Sequence, residues 1–427
     1  MSDEPSNLLS DDWRFAAPRP EVQPRHERDA SVTPSGAPSL SIWSEGNEDV
    51  FGRWYQVIEA IEPCSSYRFS VYVRTRNVGR LWDNVVVRLY WRDGDGRKAG
   101  KAFVHRRSDA GDDWQRLEAL VQAPPDAASL EVQLFFRWSA NGRVWFADAE
   151  LLPAEAPEPR PVRLATSFLN PPFDLSPGER LQRFVELVDE AGRLKADALC
   201  LPECPTFVGA DRLEEAAAPI PGPHADVLAE AAARNRLHLA TSLHEREGSA
   251  IYNTGVLFDR QGKLLTTYRK THLAFGEGVY GVRQGRQLPP VVATDFGRVG
   301  LLVCYDYFFP EMSALLARDD AEVVFLPIWE DRRHGDDCWR AVAPARAIDS
   351  GTYLVAAMSD GPSLIVDPLG RMLVESDRQD GVFTAEVDLS QAPPDADWLR
   401  RNCNHTWRNR LAVERRPGIY RDLGREA

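Results

Sequence analysis

The chain has 427 residues, 43% of them hydrophobic and 27% charged. That length suits two or three domains, and the composition excludes a wholly disordered, fibrous or collagen-like protein. Asp plus Glu (64) outnumber Lys plus Arg (51), giving a net charge of −13, which argues against general attraction to nucleic acid or to an anionic membrane.

Six cysteines without a Cys-x-x-Cys pair are too few for a disulfide scaffold and are read as free thiols. No run of about 18 apolar residues marks a membrane span. The start is acidic and polar without a signal-peptide core, so the expected address is cytoplasmic. Residues 1–39 carry Pro5, Pro18, Pro20, Pro24, Pro34 and Pro38 among charged and small polar groups, a composition that predicts a flexible arm. Over 40–153 the pattern has period two: Tyr67, Phe69, Val71 and Val73 alternate with Arg68, Ser70, Tyr72 and Arg74. Short strands divided by Gly, Asp and Asn turns predict an all-β jelly-roll sandwich. Trp43, Trp54, Trp82, Trp91, Trp114, Trp138 and Trp145 fall in this stretch; they raise the question of platforms for sugar rings, against the plainer reading that a sandwich core needs bulky inward residues.

A second proline cluster, Pro153, Pro157, Pro159 and Pro161, predicts a stiff linker over 154–161 and a domain boundary there. From 162 to 427 strands and helices alternate. Val162 to Phe168 reads as a strand. Ser176-Pro177-Gly178-Glu179 has the form of a capping box with proline at the first helical position. Leu181, Phe184, Val185, Val188 and Ala191 then line one helix face. Ala198 to Leu201 predicts a short buried strand delivering Pro202-Glu203 at its end, where α/β folds commonly place functional groups. Asp259 to Leu265 and Asp367 to Leu373 share D-x-x-G-basic-apolar-Leu spacing and read as hairpin turns with glycine at a positive backbone angle.

Three segments end an apolar run on a reactive group: Leu201-Pro202-Glu203, Tyr268 to Leu273 around Lys270, and Val299 to Asp306 around Cys304. Singly, each has a plain explanation as a solvated carboxylate, a surface cation or a small core thiol. Together with their flanks they resemble the nitrilase, or carbon-nitrogen hydrolase, superfamily, whose members carry Glu, Lys and Cys in that chain order. The match runs through Tyr252-Asn253-Thr254, Asp259 to Gly262, Phe296 to Leu301, Phe309-Pro310-Glu311 and Ala345-Arg346-Ala347-Ile348.

The resemblance implies a four-layer α-β-β-α sandwich for 162–427 and an amide or N-carbamoyl hydrolase that releases ammonia through a covalent cysteine intermediate. Cys304 would be the nucleophile, Glu203 the general base, and Lys270 an oxyanion donor beside the backbone N–H of Tyr305; each supplies something that an unreactive amide carbon requires. Glu277 fits a further family carboxylate. Trp329 and Glu330, after a strand over Val323 to Pro327, and His272 are candidates for the substrate pocket. Cys304-Tyr305-Asp306 looks closer to amidases and carbamoylases than to nitrilases, which commonly have Cys-Trp-Glu. Asp349-Ser350 stands where Glu-Asn is frequent, a change expected to affect packing and not the triad. The alternatives are a nitrilase or acyltransferase using the same triad, or an inactive hydrolase-fold scaffold.

No phosphate loop asks for a nucleotide, and His334 with Cys338 supplies only two of a metal's ligands, so neither cofactor nor metal is expected. Cys200 is read as core and Cys204 as unneeded by the mechanism. Residues 40–153 also resemble galactose-binding-like domains, which implies a glycan as a possible partner. The superfamily resemblance implies a homodimer or higher homo-oligomer.

Overall fold

The computed structural model describes residues 6–390 apart from Ala60, Arg80, His105, Phe173, 208–212 and 331–334, with the backbone alone for Trp82, Glu330 and 335–337. Among the described residues, those up to Glu158 form one compact unit and those from Pro159 to Ser390 a second.

The first unit consists of two antiparallel sheets. One runs in the order Arg14–Ala16, Phe51–Ile58, Ser129–Arg137, Val85–Arg92, Lys98–Val104; the other Arg25–Asp29, Ser39–Trp43, Arg143–Ala154, Ser66–Arg76, Trp114–Gln122, Arg106–Asp109. The period-two pattern explains how they pack. Tyr67, Phe69, Val71 and Val73 from one sheet and Leu130, Val132, Leu134 and Phe136 from the other enter a single core, as alternating residues on facing strands must. Trp54, Trp91, Trp114 and Trp145 are buried, whereas Trp138 is 48% exposed.

Residues 6–38 depart from the expected flexible arm. Arg14–Ala16 and Arg25–Asp29 are edge strands of the two sheets, positions that tolerate prolines and charges because one side of the ladder faces no partner. A few anchors hold the segment. Phe15 stacks on His26 at 3.6 Å and meets Trp54 edge-on, while the Gln56 side chain accepts from the Ser10 N–H and donates to the Ser10 carbonyl. Composition alone does not register such sparse anchoring.

The second unit is built on a twelve-stranded mixed sheet. Its main path runs Leu264–Arg269, Ala250–Phe258, His238–Glu247, Ala198–Glu203, Pro161–Phe168, Tyr353–Asp360, Val323–Glu330, Arg298–Leu301, Val291–Ala293. The ladder between Pro161–Phe168 and Tyr353–Asp360 has the single pair Phe168 and Met358, and Thr166 Oγ1 donates across to the Ala356 carbonyl at 2.6 Å. The strands Pro161–Phe168 and Ala198–Glu203 each serve two cores. Val162, Leu164, Ala198 and Cys200 pack with Val323, Phe325, Val355 and Ala357, and Ala165, Leu199 and Leu201 pack against the helices Pro177–Arg193 and Pro223–Asn235. Burial on both faces is why Ala198 to Leu201 is apolar without alternation. Among the described residues no helix is long and apolar enough to cross a membrane.

Local signals decide where these elements begin and turn. Ser176 Oγ accepts from the Glu179 N–H, and Glu179 Oε2 accepts from the Ser176 N–H, so the capping box forms and starts the helix at Pro177. Leu181, Phe184, Val185, Val188 and Ala191 are all buried on its inner face. Both D-x-x-G turns close as hairpins, with Gly262 at φ +78° and Gly370 at φ +79°. At Gly262 a Cβ would fall 2.4 Å from the Ala229 carbonyl oxygen. The strand Val323–Glu330 runs on through Trp329 and Glu330, three residues further than the apolar run suggests, because its ladder to Tyr353–Asp360 continues to the pair Glu330 and Asp360.

Ser176→Ala removes the side-chain half of the box and is expected to cost about 1 kcal/mol. Urea unfolding checks this: the midpoint falls while the slope of the transition stays the same.

Candidate active site

The strand Ala198–Glu203 is parallel to its neighbour His238–Glu247, with an irregularity before Glu203, and carries the buried Glu203 at its C-terminal end. Lys270 immediately follows the strand Leu264–Arg269. Its N–H donates to the Asn253 carbonyl, and its own carbonyl accepts from the Gly285 N–H at 2.8 Å. That second bond needs a glycine, since a Cβ on Gly285 would lie 2.0 Å from the Arg269 carbonyl. Strand and loop thus drive the Lys270 side chain inward until 1% of it is exposed.

Two carboxylates meet the ammonium there. Lys270 Nζ donates to Glu203 Oε1 at 2.9 Å and to Glu277 Oε2 at 2.7 Å. Glu277 comes from the short helix Phe275–Val279, and its Oε2 also accepts from the Ala274 N–H at the start of that helix. Asn253 Nδ2 donates to Glu203 Oε1 at 2.6 Å and to Glu277 Oε1 at 2.8 Å. The remaining oxygen of Glu203, Oε2, accepts from the backbone N–H of Trp329 at 2.9 Å. Every carboxylate oxygen in this cluster has a donor, as burial demands.

Cys304 opens a short 3₁₀ turn, Cys304–Phe308, and sits at φ +44°, a left-handed conformation that costs a non-glycine residue of order 1–3 kcal/mol and is met mostly at functional sites. Asp306, fully buried, holds the turn. Its Oδ2 accepts from the Val303 N–H, and its Oδ1 accepts from the His272 N–H and pairs with His272 Nδ1 at 2.9 Å. His272 in turn stacks on Phe309 with centroids 3.7 Å apart. Arg346 grips the turn from the helix Gly335–Ser350, donating to the carbonyls of Tyr307 and Phe308.

The charges set one another's protonation. Burial works against the Lys270 ammonium, but Cys304 once ionised, Glu203 and Glu277 outweigh it and hold the pKa well above the ordinary lysine value of 10.5. Burial likewise opposes ionisation of Glu277, and Lys270, Asn253 and the Ala274 N–H overcome it, lowering its pKa from 4.5. A depressed carboxylate contributes stability above its ordinary pKa that is lost as pH falls. A raised ammonium contributes stability that is lost as pH climbs through its folded value. Both contributions are therefore complete across the neutral range. The Cys304 thiol is pushed up first by burial and then by Glu203, with Glu277 adding to the rise and Lys270 opposing it. At neutral pH it rests as a thiol and needs a base.

Glu203, Lys270, Cys304 and Glu277 are therefore brought together, and Tyr305 lies in the first turn of the 3₁₀ segment, where an N–H has no intrahelical acceptor. His272 joins the lysine loop to the cysteine turn. Trp329 contributes its backbone to Glu203, while its ring lies 5.8 Å from the Arg180 guanidinium carbon; the sequence suggested only a place in the substrate pocket. The side chain of Glu330, and His334 altogether, lie outside the described residues. Asn253, Asp306 and Arg346 were missed as site residues although all three stood in the quoted motifs. At the unusual Asp349-Ser350 pair, Asp349 accepts from Arg346 and Ser350 Oγ donates to the Arg346 carbonyl, so these residues support the clasp on the turn.

Because the Cys304 thiol is held above its ordinary value of 9.0, its alkylation by iodoacetamide is expected to keep accelerating as pH rises through 9. Peptide mass spectrometry across pH 6–10 measures this; a plateau near neutral pH would contradict it.

The model of the carbon-nitrogen hydrolase family matches residues 163–395. The deaminated glutathione amidase of Homo sapiens is 32% identical over 302 residues, covering 63% of this chain and 89% of that protein. That of Synechocystis sp. (strain PCC 6803 / GT-S) is 31% identical over 236 residues, covering 49% of this chain and 86% of its relative. Among solved structures, a double mutant of the amidase from Nesterenkonia sp. AN1 in complex with acrylamide is similar in fold, with a TM-score of 0.50 at 24% identity, covering 63% of this chain and 100% of that one. The chain belongs to the carbon-nitrogen hydrolase family and is an enzyme acting on carbon–nitrogen bonds other than peptide bonds.

Proposed function

We propose that the protein is a thiol-dependent amidohydrolase that cleaves an amide or N-carbamoyl C–N bond through a covalent intermediate on Cys304 and releases ammonia. The observation that carries this reading is the Lys270 ammonium, sealed between Glu203 and Glu277 with the Cys304 thiol within reach of all three charges. Two of the three ammonium hydrogens are committed to carboxylates, which leaves one donor for an oxyanion. The many amidases among its relatives favour amide over nitrile.

In the first half-reaction Glu203 takes the Cys304 proton as sulfur attacks the carbonyl carbon. The C=O π pair moves onto oxygen, where Lys270 and the Tyr305 N–H stabilise it. Collapse reforms the carbonyl and breaks the C–N bond, and the proton held by Glu203 passes to the departing nitrogen, which leaves as ammonia. In the second half-reaction Glu203 takes a proton from water, hydroxide adds to the thioester, and the C–S bond breaks with return of the proton to sulfur. An amide thus yields a carboxylic acid, and an N-carbamoyl group yields a carbamic acid that decomposes to carbon dioxide and an amine. Glu277 keeps Lys270 charged and in place throughout.

We read the two cores flanking the sheet of the second unit as the inner and outer interfaces of an α-β-β-α sandwich, and the two facing sheets of the first unit as a jelly roll. The shared apolar core of each layer pair supports both readings.

Ammonia release from a panel of primary amides, N-carbamoyl compounds and nitriles tests the function. Release from amides or carbamoyl compounds is expected, and Cys304→Ala is expected to abolish it without unfolding the protein; turnover surviving in that variant would remove Cys304 from the mechanism. Lys270→Ala is expected to lower kcat by roughly 10²–10³-fold or more, the scale of losing an oxyanion donor, and a near-normal rate would contradict its role.

A further inference from the structure

Behind the two carboxylates lies a second buried thiol that the mechanism does not use. Cys204 directly follows Glu203, adopts φ +49° and is 4% exposed. Its N–H donates to the Ser242 carbonyl at 3.1 Å and to Ser242 Oγ at 3.2 Å, which fixes the backbone in the left-handed turn. Its Sγ faces Asn253 Oδ1 at 3.5 Å, Ser242 Oγ at 3.6 Å and His244 Nε2 at 3.8 Å. Of these, Asn253 Oδ1 is nearest and can only accept. The titratable groups facing this pocket are Glu203, Glu277, Lys270 and His244. Burial, with the Glu203 and Glu277 charges, keeps Cys204 a thiol and therefore a donor. Burial also pushes His244 down to about 4, so the imidazole is neutral.

Asn253 has two amide hydrogens and both are committed, one to Glu203 and one to Glu277. Flipped by half a turn, its carbonyl oxygen would face both carboxylates and its NH₂ would face the thiol. We infer that Cys204 is a positioning residue: its S–H, donated to Asn253 Oδ1, locks the amide in the one orientation that presents both N–H groups to Glu203 and Glu277. The inference rests on the hydrolase reading for its consequence in turnover, but its electrostatic consequence is independent of any substrate.

The Asn253 donor helps Lys270 hold the Glu277 carboxyl below its ordinary value against burial, so the stability it contributes is present above that ordinary value and is lost as pH falls through the lowered one. The test compares wild type, Cys204→Ala and Cys204→Ser. Serine keeps a donor of similar size, whereas alanine removes it. The expected result is that the alanine variant has a lower Tm than the serine variant at pH 7, and that this gap holds down to the ordinary glutamate value of 4.5 and narrows as pH falls below it. A gap that stays constant below that value, the mark of a packing defect alone, or no gap at all would overturn the inference. With an amide that the wild type turns over, Cys204→Ala is expected to lose about tenfold in kcat/KM, the scale of one buried hydrogen bond, with its acid limb moved to higher pH and with serine recovering most of the loss. Equal loss in both variants would also overturn the inference. Absence of turnover in the wild type would instead count against the hydrolase reading, and the pH-dependent gap in Tm would still decide the role of Cys204.

Discussion

The site depends on one ammonium ion held out of water. Lys270 sits between Glu203 and Glu277 with 1% of its side chain exposed, and an isolated charge in that position would be heavily penalised. Removing one partner of such a buried pair typically costs about 3–5 kcal/mol because the remaining charge is stranded. The surroundings are built to prevent that: the Asn253 amide bridges both carboxylates, and the N–H groups of Ala274 and Trp329 cap the oxygens that remain. Four separate stretches of chain converge on it, which ties the integrity of the site to the register of the whole sheet.

The same constraint bears on Cys304. With two carboxylates and one ammonium nearby, the cluster carries excess negative charge, which discourages a resting thiolate; the proposed reaction therefore calls on Glu203 as base. The left-handed backbone at Cys304 projects the thiol from a turn held by Asp306 and Arg346. The Asp306–His272 bond then couples that turn to the lysine loop, so Cys304 and Lys270, proposed as nucleophile and oxyanion donor, are positioned relative to each other by a direct link.

What could be read from the sequence follows from how locally each feature is encoded. The capping box at Ser176, the apolar face of the helix after it and the two D-x-x-G turns are statements about neighbouring residues, and all form as their spacing predicts. Glu203, Lys270 and Cys304 could be picked out because each ends an apolar run and carries flanking residues in a family order. Asn253 was harder to recognise: it lies mid-strand in Ala250–Phe258, and its bridging role exists only once three other segments surround it. The contribution of Trp329 is a backbone N–H, which no side-chain pattern encodes. The N-terminal segment was misread for a related reason, since a polar, proline-rich stretch can still form edge strands when a single residue such as Phe15 finds a partner in His26 and Trp54.

The central claim is that amide cleavage passes through Cys304 covalently. Rapid acid quench of the enzyme with a turned-over amide, followed by peptide mass spectrometry, tests it directly. The account predicts a transient adduct with the mass of the acyl group on the peptide bearing Cys304, absent in Cys304→Ala. Ammonia release at full rate with no such adduct at any quench time, or an adduct on a different residue, would contradict it.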